Sequence, residues 1–306
     1  MYNFYETFSC QELYAFFFEL ALKELNDKGV LSFITASLYI KGLKFETLRC
    51  YLENHLDLIE YKYQGDDIFQ NVKMPTATIL GYKGKGNWSC ADLNPLTKLA
   101  RKISFGQKQL FQISDIQRGL EISRGEVLSS GKYPCITGTL VNKYLPHTIK
   151  YISQSTLDNN AKEERFFTNE RILLRETGSF LMAIYLNEHL YSNRSLYSIL
   201  ITDKSFKTKY VLACLNSSLL QFYYKVMFKA ETDLFPKIRI AQAKLLPIPK
   251  ADDRVQKEVI GIVDKIISAK RENVEADISE YEKQIDEIVF GLFDLTQEEI
   301  ALIEQA

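Results

Sequence analysis

Three histidines in 306 residues, His55, His147 and His189, stand far apart, with no H-x-x-x-H or Cys/His spacing between them. That excludes the common zinc-site patterns and leaves the histidines as surface or loop residues. The five cysteines (Cys10, Cys50, Cys90, Cys135, Cys214) are scattered, odd in number and without a C-x-x-C pair. They read as reduced thiols of a cytoplasmic protein, not as a disulfide framework. No stretch of 18 apolar residues occurs, so no transmembrane helix is expected, and Met1 to Cys10 lacks the basic segment of a signal peptide. Gly81, Gly84 and Gly86 follow a strand pattern but lead through Asn87-Trp88 into a linker. A phosphate-cradling loop needs a helix N-terminus there, and none is signalled. Asp66-Asp67 reads as a solvated loop pair, not as an acid/base dyad. No P-D-x-n-D/E-x-K cluster marks a nuclease, and no internal repeat is visible.

What is present begins with charge. The net charge of −1 hides a strong division. Residues 1–97 carry 9 Lys/Arg against 12 Asp/Glu, residues 98–250 carry 23 against 12, and residues 251–306 carry 6 against 15. A basic middle between acidic flanks is the footprint of a nucleic-acid contact surface. The plainer reading is an excess of solvated lysines.

Apolar periodicity organises the chain. Leu13, Phe16, Phe17, Leu20, Ala21 and Leu25 recur at helical spacing within Gln11 to Asp27, and Gly29 stands where a helix C-terminus favours glycine. Val30 to Thr35 reads as a buried strand, Lys44 to Glu53 as a helix, and Leu56 to Tyr63 and Thr76 to Lys83 as strands. This is the order of part of an α/β sheet, though three strands are few for a self-sufficient domain. Gly84 to Pro95 reads as a linker. Beyond it, strand-like runs at Tyr133 to Ile136, Arg171 to Arg175, Met182 to Leu186 and Ser198 to Thr202 join a helix at Lys209 to Phe228, an α+β pattern that exits at Leu245 to Lys250. Two helices, Asp253 to Asn273 and Asp277 to Leu292, carry apolar stripes that can pack on each other or on a partner. Thr296 and Glu299 form a capping box for a last short helix.

Several stretches carry a family resemblance. GVLSFITASLYIKG, FETLRCYLENH and DIFQNVKMPTATILGYKG resemble the region after the catalytic motif in TaqI-like, gamma-class adenine-N6 DNA methyltransferases. DIQRGLE resembles the entry to a target-recognition domain in those enzymes and in type I specificity subunits. ILLRETGSFLMAIY, LYSILI, YVLACLNSSLLQFYYK and KIRIAQAKLLPIP follow the same order as in that domain. The C-terminal IDEIVFGLFDLTQEEIALIE is similar to the closing helices of type IIG and IIS restriction-modification enzymes.

The resemblance implies α/β plus α+β architecture: a partial Rossmann-like methyltransferase sheet in residues 1–86, a target-recognition domain in 87–250 and a helical tail in 251–306. It also implies a departure. The family's F-x-G-x-G loop for S-adenosylmethionine and its N-P-P-Y or D-P-P-Y adenine motif are both missing, so this chain is expected to bind no cofactor and to be inactive alone. It would supply sequence choice on duplex DNA to a methylation or restriction subunit, or to a missing N-terminal half. The alternative is a stand-alone specificity subunit that docks through its tail.

The resemblance places Phe69 at the position that stacks on a flipped adenine; on residue grounds alone, Phe69 can equally pack beside Ile68. For DNA contact the candidates are Arg118 and Arg124 beside glycine turns, Lys132 beside Gly131, Arg175 in R-x-T-G, and Lys237 and Arg239 in K-I-R. Arginine is the usual reader of guanine edges and lysine mostly neutralises phosphate. The other reading of each is an exposed, solvated cation.

Overall fold

The computed structural model describes residues 5–65, 68–69, 74–146, 148–160, 162–228 and 237–305, with only the backbone at 43, 124 and 140. His147, Asp66 and Asp67 lie outside the described residues. The chain divides into two compact units, Met1–Lys102 with Val226–Phe228, and Ile103–Lys225 with Lys229–Ala306. No described helix is long and apolar enough to cross a membrane.

In the first unit, α1 (Leu13–Glu24) precedes β1 (Val30–Ala36), α2 (Glu46–His55), β2 (Leu56–Gly65) and β3 (Thr76–Lys83). The helix turns inward a different face from the one its apolar spacing suggested: Ala15, Phe18 and Leu22 of α1 are buried while Leu13, Phe17 and Leu20 are exposed, and the Phe18 ring lies 5.1 Å from Phe33 of β1. The helix stops three residues short of the sequence expectation. The left-handed residue after it is Lys28 (φ 61°). Gly29 is required for a different reason: a Cβ there would stand 2.9 Å from the Asn26 carbonyl.

β3 lies between β1 and β2 and is antiparallel to both. β1 and β2 are therefore parallel, which needs a crossover, and α2 supplies it. The stretch expected to be a linker is instead held down. The Trp88 indole donates to the Leu56 carbonyl (2.6 Å), and the Glu53 carboxylate accepts from Ser89 Oγ (2.9 Å) and the Cys90 amide (2.7 Å). A helix, α3 (Pro95–Ser104), follows at once.

The second unit opens with β4 (Lys108–Gln109), α4 (Leu110–Ile113) and β5 (Ser114–Arg118). Next come β6 (Tyr133–Ile136), β7 (Lys150–Ile152), α5 (Gln154–Asp158), α6 (Arg165–Thr168), β8 (Arg171–Arg175), β9 (Ala183–Leu186), β10 (Tyr191–Ser192) and β11 (Leu196–Ile201). α7 (Thr208–Asn216), α8 (Ser218–Met227), α9 (Ile240–Lys244) and β12 (Pro247–Ile248) lead to the tail helices α10 (Asp253–Glu272), α11 (Ser279–Gly291) and α12 (Gln297–Gln305). The strands form sheets ordered β5-β11-β8-β9, β10-β6-β7 and β12-β4. This is a mixed architecture of small sheets and helices, α+β in the second unit. One core cluster joins Leu173, Ile184 and Leu196 of the four-stranded sheet to Ile136 of the three-stranded one.

The single helix expected at Lys209 to Phe228 is two helices broken at Ser217. The Ser217 hydroxyl donates back to the Cys214 carbonyl (2.7 Å) and accepts from the Leu220 amide (3.4 Å), ending one helix and starting the next. Asn216, buried at the break, pairs with Ala183 as a backbone would: its amide donates to the Ala183 carbonyl and its oxygen accepts from the Ala183 amide, both at 2.9 Å. The tail packs within this unit. Val259, Val263 and Ile266 of α10 and Ile285 and Val289 of α11 are buried, Asp286 caps α8 by accepting from the Ser218 amide (2.8 Å), and Glu282 pairs with Lys143 (2.8 Å). The Thr296–Glu299 capping box is present in both directions.

Candidate nucleic-acid interface

The register of the four-stranded sheet decides where the candidate cations sit. Tyr197 of β11 faces Arg118 across one neighbour, and Leu196 faces Arg175 across the other. Adjacent residues of a strand point to opposite faces, so Arg118 and Arg175 leave the same end of the sheet on opposite sides. The K-I-R segment is strapped alongside. Lys237 bridges Thr177, the Ile238 amide donates to the Glu176 carbonyl (2.7 Å), and the Tyr197 hydroxyl donates to the Ile238 carbonyl (3.0 Å). With Ile238 buried between them, Lys237 and Arg239 are exposed on either side. The Arg239 amide donates to Gln242 Oε1 (2.8 Å), starting α9. Four of the six candidate cations, Arg118, Arg175, Lys237 and Arg239, thus gather at one sheet end although 121 positions separate the first from the last in the sequence.

They are not chemically equivalent. Arg118 is committed inside the protein: Nη2 donates to both Glu176 oxygens (3.0 and 2.8 Å) and Nε donates to the Arg194 carbonyl (2.8 Å). The Glu176 hydrogen bond raises its pKa above the ordinary arginine value. Arg175 is half-buried over the Phe180 ring, 5.4 Å from its centre. Its Nε is closed off from solvent without a hydrogen-bond partner, and burial lowers its pKa. Gly178 makes this possible: its φ of +143° suits glycine, and a Cβ there would stand 2.7 Å from Arg175 Nη2.

Lys132 stands apart, exposed at the entry to β6 in the three-stranded sheet, with its ammonium 5.2 Å from the Tyr133 ring centre. Arg124 lies in a short 3-10 turn, Arg124–Glu126, and its side chain is outside the described residues. Phe69, in the first unit, is on the β2–β3 connection and is 49% exposed, with Ile68 44% exposed, so neither is core. Gln70 beside it is outside the described residues. No group of three or more His, Cys, Asp or Glu suited to a metal exists among the described residues.

Sequence reasoning missed four features. Phe180 is one, although its place after R-x-T-G was a signal. Two more are the pairing of Arg165 with Asp115 (2.6 Å) and of Arg194 with Glu121 (2.9 Å), which neutralise cations counted into the basic middle. Arg171 is another lost cation. It is fully buried, and its guanidinium donates to the carbonyls of Asn169 (2.8 Å), Glu188 (3.0 Å) and Leu190 (2.7 Å). Burial lowers its pKa to about 10, with Glu188 opposing.

Residues 116–248 match the family model described as the TaqI-like C-terminal specificity domain. Among solved structures, the type IIL restriction-modification enzyme MmeI in complex with DNA shares the fold at TM-score 0.55, with 12% identity over 95% of this chain and 51% of that one. The type IIG restriction endonuclease BpuSI aligns at TM-score 0.41 and 12% identity, covering 92% of this chain and 49% of its own. The HsdS subunit from Thermoanaerobacter tengcongensis aligns at TM-score 0.37 and 15% identity, covering 64% and 50%. The chain spans about half the length of each of these structures. No curated protein matches it at a significant level.

Proposed function

We propose that this chain selects the duplex DNA sequence for an adenine-N6 DNA methylation or restriction-modification activity whose catalytic motifs it does not carry. One coincidence carries the reading. The specificity-domain match over residues 116–248 falls inside the segment with 23 Lys/Arg against 12 Asp/Glu, and there the fold collects Arg175, Lys237 and Arg239 at one sheet end. Exposed Lys237, Arg239 and Lys132 take phosphates, and sequence is read by whatever presents fixed donors to base edges.

The first unit fits a partial Rossmann-like methyltransferase sheet. Two parallel strands joined by a helix, with an antiparallel strand between them, support this reading. Among the described residues β1 pairs with β3 alone, and Val30 and Ile34 of β1, like Leu13 and Phe17 of α1, are exposed. An unpaired edge beside apolar surface suits extension by further strands, supplied by an N-terminal half or a methylation subunit. The tail's main apolar stripes are spent within the chain, which favours partner docking on the first unit over docking through the tail. Without a cofactor loop or adenine motif, the chain takes no S-adenosylmethionine by itself.

Fluorescence anisotropy on a labelled duplex across a salt series tests the proposal. About four to six phosphate contacts give a log–log slope of roughly −4 to −5. No binding at 50 mM salt removes it.

A further inference from the structure

The arginines of the second unit differ in what they have left to offer a ligand. Arg118, Arg165 and Arg194 are tied to carboxylates, and Arg171 is buried on three carbonyls. Among the described arginine side chains between residues 103 and 250, that leaves Arg175 and Arg239 with neither a carboxylate partner nor a set of carbonyls. Arg239 is exposed at the N-cap of a five-residue helix, its side chain set against the Gln242 backbone and, among the described residues, over no aromatic ring.

Arg175 is held. Its ring partner is Phe180, 43% exposed on the β8–β9 hairpin. Its backbone amide is fixed to the Met182 carbonyl (2.9 Å), and Gly178 opens the space its guanidinium fills. A phosphate contact needs charge and little orientation, and a flexible lysine meets it. A planar guanidinium clamped against an aromatic face, with Nε shut away and its terminal nitrogens left to donate, matches two fixed acceptors. In duplex DNA the major-groove edge of guanine offers such a pair in O6 and N7. The part of the ring that Arg175 leaves uncovered is apolar surface next to the same donors, where a neighbouring base or thymine methyl can pack.

From these observations we infer that Arg175, positioned by Phe180 and Gly178, is the specificity-determining residue with which this chain reads one guanine, while Lys237 beside it contacts phosphate. The inference rests on the DNA-reading role proposed above and adds a residue, a base and a positioning side chain to it.

Selection of bound duplexes from a randomised pool tests it, using the full chain, Arg175→Lys, Phe180→Leu and Lys237→Ala. Wild type should enrich a guanine at one position. Arg175→Lys keeps the charge and should lose about 5- to 100-fold preference at that position while leaving the others. Phe180→Leu keeps apolar volume but not the flat face, and should weaken preference at the same position. Lys237→Ala should lower affinity evenly for all sequences. Thermal unfolding of each variant checks folding, and Phe180→Leu carries the test if Arg175→Lys does not fold. A site preference unchanged in both Arg175→Lys and Phe180→Leu overturns the inference and leaves the DNA-reading role standing. DNA binding with no preference for any guanine also overturns it. Failure of the wild-type chain to bind any duplex removes both.

Discussion

Asn216 offers the most direct test of how the second unit is held together. Its side chain sits at the α7–α8 break and makes a two-bond, strand-like pair with Ala183 of β9. Asn216→Leu removes both bonds and keeps the number and branching of the side-chain heavy atoms. The Ala183 amide then has no partner in a buried site, which costs about 1–3 kcal/mol. The Ala183 carbonyl still accepts from the Tyr144 amide at 2.9 Å, so its loss is an ordinary one of about 0.5–1.5 kcal/mol. The sum, about 2–4 kcal/mol, lowers the melting temperature of a unit this size by about 5–15 °C.

Asn216→Asp behaves differently. One carboxylate oxygen can still accept from the Ala183 amide, but the other faces the Ala183 carbonyl with a charge and no proton. Burial raises the pKa of the new acid. A raised folded-state value means the folded state binds the proton more tightly, so stability rises as pH falls through that value and is lost above it. Circular-dichroism melts and amide exchange at Ala183 read both variants. An Ala183 amide that stays protected in Asn216→Leu, with a melting temperature within 2 °C of wild type, refutes the reasoning.

Other expectations follow from the same structure. Glu19 of α1 is buried; burial opposes its charge, but Lys23 and then the Thr7 and Glu6 amides and the Thr7 hydroxyl outweigh it and hold its pKa below the ordinary value. A lowered folded-state value contributes stability above the unfolded pKa that is lost as pH falls through the acidic range; melts followed by Trp88, the sole tryptophan, should show the first unit weakening there in wild type and less so in Glu19→Gln. Gly178→Ala combines a φ of +143° with a collision 2.7 Å from Arg175 Nη2; about 1–3 kcal/mol of strain should appear in the melt, together with the loss of site preference seen in Arg175→Lys. Lys237→Ala should reduce the magnitude of the salt slope of DNA binding by about 1. Calorimetry with S-adenosylmethionine and the chain alone should give no binding heat.

The sequence carried much of this fold because its periodicities are local. The helix within Gln11 to Asp27, the strand at Thr76 to Lys83 and the Thr296–Glu299 box each need only a few neighbouring residues to be read, and all three are present, although the helix buries Phe18 and Leu22 where the spacing pointed to Leu13, Phe17 and Leu20. What escaped depends on distant partners. Two-residue β10 becomes a strand only by lying parallel to β6, and nothing within Tyr191-Ser192 encodes that. Ser217 broke the expected helix because its hydroxyl serves both helix ends, where apolar spacing saw one continuous face. The site was legible as a list of cations but not as chemistry. Glu176 and the Arg194 carbonyl separate Arg118, which is spent inside the protein, from Arg175 one residue earlier than that glutamate, and the distinction arises from sheet register.

The central claim is that this chain prefers one DNA sequence to others, and a competition experiment reads it most directly. A duplex recovered by selection and a scrambled duplex of equal length are titrated against the full chain at 150 mM salt. The account predicts at least about a thousandfold tighter binding to the selected duplex. Equal affinity for the two would contradict it, leaving a basic surface that binds DNA without reading it.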